Sequence, residues 1–313
     1  DQDTPYNWSC PIQDGSRCVT GCTPTATASI LSYWKYPACG DGFRTYTTES
    51  HNILCRFDFD GTPFDWEHIL PSYETENYTY AQAKAIATLM YACGVASETN
   101  YGAEASGTYP KDNLNGLIEN LGINPYTVIL LREGFSSSEW MALIKKELAA
   151  GRPILYGGYD AYDGGHSFVL DGYDAEGMVH VNWGWGGLSN GYFEILSLDP
   201  SSMGIGGGTG GGYAFRQNML YGLAPKDVLA VPQSYFYLKG GLSFENQTAY
   251  ITDIYNYGHG FTGSIGVIAE QNGNQHLLGE EVLSETLGTL YGYSSLEIPL
   301  DHLDDLETGT YTV

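Results

Sequence analysis

Three side chains far apart in the chain have the types needed for nucleophilic catalysis: the thiol of Cys22, the imidazole of His166 and the carboxamide of Asn182. A thiolate that attacks a carbonyl needs a base to take up and return a proton. The base in turn needs a partner that fixes its ring. Cys22 opens the run Gly21-Cys22-Thr23-Pro24-Thr25-Ala26-Thr27-Ala28-Ser29-Ile30-Leu31-Ser32-Tyr33-Trp34. Gly21 permits a sharp entry into a helix, and Pro24 suits a first helical turn, where its missing N–H is not needed. Ala26, Ile30 and Tyr33 or Trp34 recur at helical spacing until Pro37. A thiol at the start of such a helix faces the positive end of its dipole, which favours the thiolate. Taken alone, a cysteine here reads equally as half of a disulfide or as an inert buried thiol.

The elements that would bring the other two groups to it lie downstream. His166 opens an apolar strand, Phe168 to Leu170, within Gly164-Gly165-His166-Ser167-Phe168-Val169-Leu170-Asp171-Gly172-Tyr173. After a turn at Asp174-Ala175-Glu176-Gly177, Val179 to Asn182 reads as the next strand. A hairpin of this length sets the His166 end beside the Asn182 end. Cys22 then reads as nucleophile, His166 as base and later acid, and Asn182 as the group that orients the ring. Other segments build the scaffold. Tyr80 to Tyr91 has strong helix propensity, and Leu114 to Leu121 reads as a shorter helix. Ser137 to Ala150 is an amphipathic helix capped by Ser137 or Ser138 and ended by Gly151. Val128 to Leu131 reads as a strand. Pro153 to Tyr156 starts the sheet that carries His166, Phe193 to Leu198 continues it, and Met219 to Leu223 closes the domain. Gly157-Gly158 and Gly164-Gly165 flank a polar loop expected to rim the site. The glycine run from Gly204 to Gly212 lacks the Lys-Ser/Thr of a phosphate loop.

These motifs resemble the streptopain family of secreted bacterial cysteine peptidases. The matching pieces are Gly21-Cys22 with its Ala/Thr-rich helix, Tyr33-Trp34-Lys35-Tyr36-Pro37, Gly165-His166-Ser167-Phe168-Val169-Leu170-Asp171-Gly172, and Val181-Asn182-Trp183-Gly184-Trp185-Gly186-Gly187. The resemblance covers residues 1–225 and implies an α+β, papain-like fold with a helical side and an antiparallel β side. It implies a cysteine endopeptidase that hydrolyses protein or peptide substrates through an acyl-enzyme. Trp183 would shield the Asn182–His166 hydrogen bond. Gln2, in Gln2-Asp3-Thr4-Pro5-Tyr6-Asn7, would donate to the oxyanion beside the Cys22 N–H, and is preferred to Gln13 because the Pro-Tyr-Asn after it is shared with the family. Substrate contacts are expected from Gly164, Gly165, from Tyr101 in a segment that walls the cleft, and from Gly207 in a mobile glycine loop. The resemblance further implies an inhibitory propeptide before activation and a location that is secreted, cell-surface or periplasmic. Two rival readings are a Cys-His acyl transferase or amidase, and an inactive secreted binding or adhesion protein on a peptidase scaffold.

A chain of 313 residues suggests two domains, and the composition changes at Ala224-Pro225-Lys226. Residues 226–313 carry short β-branched and aromatic runs between turns, expected as an Ig-like β-sandwich. That domain reads as cut short at Tyr311-Thr312-Val313, with a role in surface or host-protein contact or as a spacer. Net charge is −24, from 37 acidic and 13 basic residues, which argues against nucleic acid or an anionic membrane as partner. No run approaches the roughly 18 apolar residues of a membrane span. The lack of a leader-like segment reads as a mature or trimmed chain. Asp58 and Asp60 before Gly61 lack the spacing of a calcium loop, so no metal and no cofactor are expected. Six cysteines are present, five within the first 55 residues. With Cys22 reserved for chemistry, bridges Cys10–Cys18 and Cys39–Cys55 are expected, with Cys93 buried and free, although sequence leaves connectivity open.

Overall fold

A computed structural model describes residues 1–208, 210–228, 234–306 and 309–313 of the chain. It divides into two compact units, Asp1–Ala230 and Val231–Val313. The first begins with a tiny hairpin, β1 (Ile12–Gln13) and β2 (Ser16–Arg17), and reaches helix α1 (Cys22–Trp34). Gly21, the residue before α1, has φ +91°, and a Cβ built there would sit 3.0 Å from the Ser106 carbonyl. Glycine is therefore required at this entry on two counts. The Thr25 hydroxyl donates to the Gly21 carbonyl at 2.8 Å and closes the first turn. Nearly every residue from Thr23 to Leu31 is buried, so small Thr and Ala side chains let neighbours approach all round.

A hairpin of β3 (Phe43–Thr47) and β4 (Leu54–Asp58) follows, then α2 (Tyr80–Ala96), α3 (Pro110–Glu119), β5 (Val128–Leu131) and α4 (Ser137–Ala149). Helix α2 runs five residues past the propensity-based end at Tyr91, because burial of Ala92, Cys93, Val95 and Ala96 carries it on. Its start is a capping box of Thr79 with Gln82. Helix α4 starts with a capping box of Ser136 and Glu139, one residue before the expected cap. Each box satisfies two orphan backbone donors, and such a cap contributes about 1 kcal/mol. Next come β6 (Ile154–Tyr159), β7 (Gly165–Tyr173), β8 (Val179–Asn182), β9 (Gly191–Phe193) and β10 (Phe215–Tyr221). Together with β5 they form an antiparallel six-stranded sheet in the order β5-β10-β6-β7-β8-β9. Leu155, Val169 and Leu220 of this sheet join α1 and α2 in one apolar core through Ile30, Leu31, Leu89 and Met90. The fold is α+β and papain-like, with helices leading and antiparallel strands following.

The expected bridges are absent, and all six cysteines are free thiols. Cys39 turns its thiol to the carbonyls of Phe59 and Asp60, at 2.9 and 3.1 Å. Its expected partner Cys55 is buried elsewhere, in a cluster with Cys10, Cys18 and Tyr101. Cys10 and Cys18 share that cluster unbridged. Burial pushes the Cys10 thiol up to about 12, so it stays protonated and inert at neutral pH. Cys93 is buried and free, as expected.

The second unit is all-β among its described residues, apart from one short turn of 3-10 helix. Strands β11 (Phe236–Glu245), β12 (Thr248–Asn256), β13 (Ser264–Gln271), β14 (Asn274–Val282) and β15 (Gly292–Pro299) pair antiparallel in two sheets, β11-β12-β15 and β13-β14. Both sheets turn apolar residues, among them Ile251, Val267, Leu278 and Ile298, into one core. This is a sandwich-like arrangement with fewer strands than the roughly seven of an immunoglobulin domain. No helix among the described residues is long and apolar enough to cross a membrane.

Candidate active site

Cys22 is the first residue of α1, and its half-buried thiol lines a cleft of about 570 Å³ together with His166, Gln2 and Gly206. The cleft is held together from both sides. The Thr23 hydroxyl, next to Cys22, donates to the Ser167 hydroxyl, next to His166, at 2.9 Å. Burial pushes the Cys22 thiol up. The hydrogen bond and charge of His166 outweigh that, with smaller help from the Ser167 backbone and the Thr23 side chain, and hold it at about 7. A thiol set near neutrality inside a cleft is available as a nucleophile, whereas the thiol of Cys10 is not.

His166 is only 3% exposed. Its Nε2 meets the Trp183 carbonyl oxygen at 2.9 Å. A carbonyl accepts only, so this contact puts a proton on Nε2 and leaves Nδ1 for exchange with the thiol. Nδ1 is buried, and among the described residues nothing competes with the Cys22 thiol for it. Around the ring stands an aromatic wall. The Trp185 indole stacks on it at 4.6 Å and 21°, with Phe168, Tyr213 and Trp183 at 5.9, 5.2 and 6.2 Å.

Asn182 does not orient this ring, contrary to the expectation from sequence, because the Trp183 carbonyl takes that place. Strand pairing sets Asn182 opposite Val169. Paired residues share a face, and faces alternate along a strand, so Asn182 lies with Val169 on the side away from His166. It lines a separate cavity of about 160 Å³ with Ser29, Tyr33 and Leu148. Its Oδ1 accepts from the Gly184 N–H at 3.0 Å, which ties the turn that carries Trp183. That turn needs glycine, since Gly184 has φ +77° and a Cβ there would press Thr25 at 3.1 Å. Asn182→Ala should therefore change kcat/KM by less than about fivefold, because no transition-state contact is lost. It should cost about 1 kcal/mol in urea unfolding, the net value of one hydrogen bond. A loss of activity near 100-fold would return Asn182 to the machinery.

Trp183 contributes its main-chain carbonyl to the imidazole rather than a shield over an Asn182 bond. Gln2 is 2% exposed and lies in the cleft, with its Nε2 donating to the Ile205 carbonyl at 2.7 Å. An amide nitrogen has two protons, so one remains for a second acceptor. Gln13 is elsewhere, accepting from the Ala103 N–H. Of the expected substrate contacts, Gly165 lines the cleft. Gly164 instead packs on Asp160, to which its N–H donates at 2.7 Å. Tyr101 is fully buried in the thiol cluster, away from the cleft. Gly207 is buried against Trp185, where a Cβ would come within 2.9 Å of the indole, and Gly206 is the residue of that loop that lines the cleft. Thr209 of the same glycine run lies outside the described residues. Trp185 is a functional residue that sequence reasoning misses, and its position two residues after Trp183 is the available signal.

The sequence profile of the Peptidase C10 family matches residues 1–193. Streptopain of Streptococcus pyogenes is 35% identical over 240 residues, covering 72% of this chain and 60% of streptopain. The chain thus spans 60% of that relative's length. Among solved structures, active wild-type interpain A cysteine protease of Prevotella intermedia superposes with TM-score 0.64 at 38% identity, covering 71% of this chain and 90% of that one. A prointerpain A fragment from the same organism matches with TM-score 0.61 at 37% identity, covering 71% of this chain and 68% of the fragment.

Proposed function

The chain belongs to the peptidase C10 family, and on that premise we propose that it is a cysteine endopeptidase with Cys22 as nucleophile and His166 as general base and acid. The observation that carries this is the Cys22 thiol held at about 7 beside a buried imidazole whose far nitrogen is tied to the Trp183 carbonyl. The Cys22 thiolate attacks the scissile carbonyl carbon. Negative charge builds on the substrate oxygen, where the free Gln2 N–H and the Cys22 backbone N–H stabilise it. His166 Nδ1 gives its proton to the leaving amine, and a thioester acyl-enzyme remains. The same nitrogen then takes a proton from water, whose oxygen attacks the thioester and regenerates the thiol. The Trp183 carbonyl holds the ring throughout without adding a charge. Hydrolysis of a peptide library tests this, with Cys22→Ala and an epoxysuccinyl thiol reagent as controls. Turnover that survives both would overturn it.

A chemical readout of the same pair is alkylation by iodoacetamide. A depressed thiol pKa means that the reactive form persists to lower pH. The Cys22 rate should rise through pH 7, not through the range near 9 of an ordinary thiol. A midpoint above 8 would contradict the pairing.

The substrate enters a cleft whose lining includes Glu49, Glu98 and Asp112 and, among the described residues, neither lysine nor arginine. A peptide with a lysine near the cut should therefore be cleaved at least about threefold faster than its glutamate counterpart at low salt, and the ratio should shrink with ionic strength. A ratio independent of salt would show that these carboxylates do not meet the substrate. Proteins and peptides are the proposed substrates, and an inhibitory propeptide the proposed partner before activation. Location outside the bacterial cytoplasm is proposed from membership of the family. The C-terminal unit is proposed as a surface or host-protein contact domain.

A further inference from the structure

We infer that Trp185 is a positioning residue that couples the two halves of the site, the imidazole and the oxyanion donor. The inference rests on the peptidase reading above. The Trp185 indole is 4% exposed and is the nearest aromatic ring to His166, stacked at 4.6 Å. Its Nε1–H donates to the Ile205 carbonyl at 3.1 Å. The same carbonyl oxygen accepts from Gln2 Nε2 at 2.7 Å. One oxygen therefore carries two donors, one from each half of the machinery, and a carbonyl has lone pairs for both.

The surroundings fix that oxygen. A Cβ on Gly204 would lie 2.4 Å from Trp185 Cγ, and one on Gly207 would lie 2.9 Å from Cζ2. The backbone on either side of Ile205 is thus seated directly on the indole. The Gly207 carbonyl also accepts from the Tyr213 hydroxyl, whose ring stands 5.2 Å from His166. The chain of contact runs from imidazole to indole, from indole to the Ile205 carbonyl, and from that carbonyl to the Gln2 amide. An oxyanion donor works because it is aimed before the charge develops. With the Ile205 oxygen held, one Gln2 N–H is occupied and the other is aimed. With the indole donor gone, the carbonyl is free to shift and the amide loses its fixed direction. The stacked indole also offers its face to the imidazolium, which favours the charged ring that the thiolate needs.

The test is a double-mutant cycle on the full chain. Trp185→Phe keeps an aromatic ring beside His166 and removes the N–H. It should lower kcat roughly tenfold with KM within about twofold, the pattern of an interaction made in the transition state. Gln2→Ala should lower kcat by about 100-fold, as for loss of one oxyanion donor. The double variant should be no slower than Gln2→Ala alone, because Trp185 acts here through Gln2. Wild-type kcat in Trp185→Phe, or losses that multiply in full, would overturn the inference. A second readout does not depend on how well the Trp185 variant folds. Gln2→Ala leaves the indole intact but loosens its acceptor, so NMR exchange of the Trp185 indole proton should speed several-fold relative to the unmutated chain. An unchanged exchange rate would equally overturn it. Absence of any Cys22-dependent turnover would instead sink the peptidase reading, and the exchange measurement would still decide the coupling.

Discussion

Cys22→Ala is expected to reduce peptide hydrolysis by roughly 10⁴-fold or more while leaving the fold intact. The thiol is the atom that forms the acyl bond, and no other group can replace it. Among the other thiols, Cys10 and Cys93 are buried, with burial pushing both up, and Cys39 is committed to the carbonyls of Phe59 and Asp60. What remains is the slow reaction of water in a cleft that still binds and polarises the substrate. The fold should be indifferent. Cys22 is half-buried, holds no bridge, and stands where alanine is the best helix former. The thermal midpoint should move by no more than about 2 °C, the scale of an uncritical substitution in a domain of this size. Cys22→Ser should fare little better than alanine, because an alcohol beside His166 is far less acidic than a thiol. Turnover within tenfold of the unmutated chain in either variant would remove Cys22 from the mechanism.

His166→Ala should cost about as much, near 10⁴-fold, and its side effects identify the cause. His166 supplies the interactions that outweigh burial at Cys22. Without them burial acts unopposed, so the thiol rises above its ordinary value and alkylation at pH 7 slows sharply. Unlike Cys22→Ala, this change also costs stability. It empties a site among four aromatic rings and leaves the Trp183 carbonyl without its donor, a loss of about 1–3 kcal/mol for the unpaired group. His166→Gln refills much of that space and can restore a donor to Trp183. It should recover most of the stability and none of the rate. A His166→Ala protein whose thiol still titrates near 7 would show that something other than the imidazole sets Cys22.

How far the site could be read from the chain depends on what kind of group acts. Cys22 and His166 announce themselves by side-chain chemistry in local contexts that survive folding: a glycine-led helix start and a glycine-led strand. Gln2 could be named, but its partner Ile205 could not, because a main-chain carbonyl has no letter of its own. The Trp183 carbonyl is silent in the sequence for the same reason. Asn182 failed for a different one. Whether it shares a face with His166 is set by cross-strand register, and a one-residue change of pairing moves every side chain to the other surface. The hairpin turn was legible and the register was not. Tyr101 and Gly207 read as cleft residues because their segments border the site, yet each turns inward to pack on its own neighbours. The helices were legible as elements but not to their ends, since α2 is prolonged by burial of Cys93 and Val95. The thiol pairings misled because proximity in sequence carries no information on which way β4 directs Cys55.

The acceptor that steadies the imidazole belongs to the peptide backbone at residue 183, and this alters what mutation can reach. Every amino acid brings the same oxygen to that position, so no single codon change there deletes the hydrogen bond outright. Damage must come indirectly, by bending the turn through Gly184. Genetic variation at this spot should therefore be filtered for shape and volume, and a screen for dead variants should recover turn-breaking changes at Gly184 more often than conservative aromatic exchanges at Trp183.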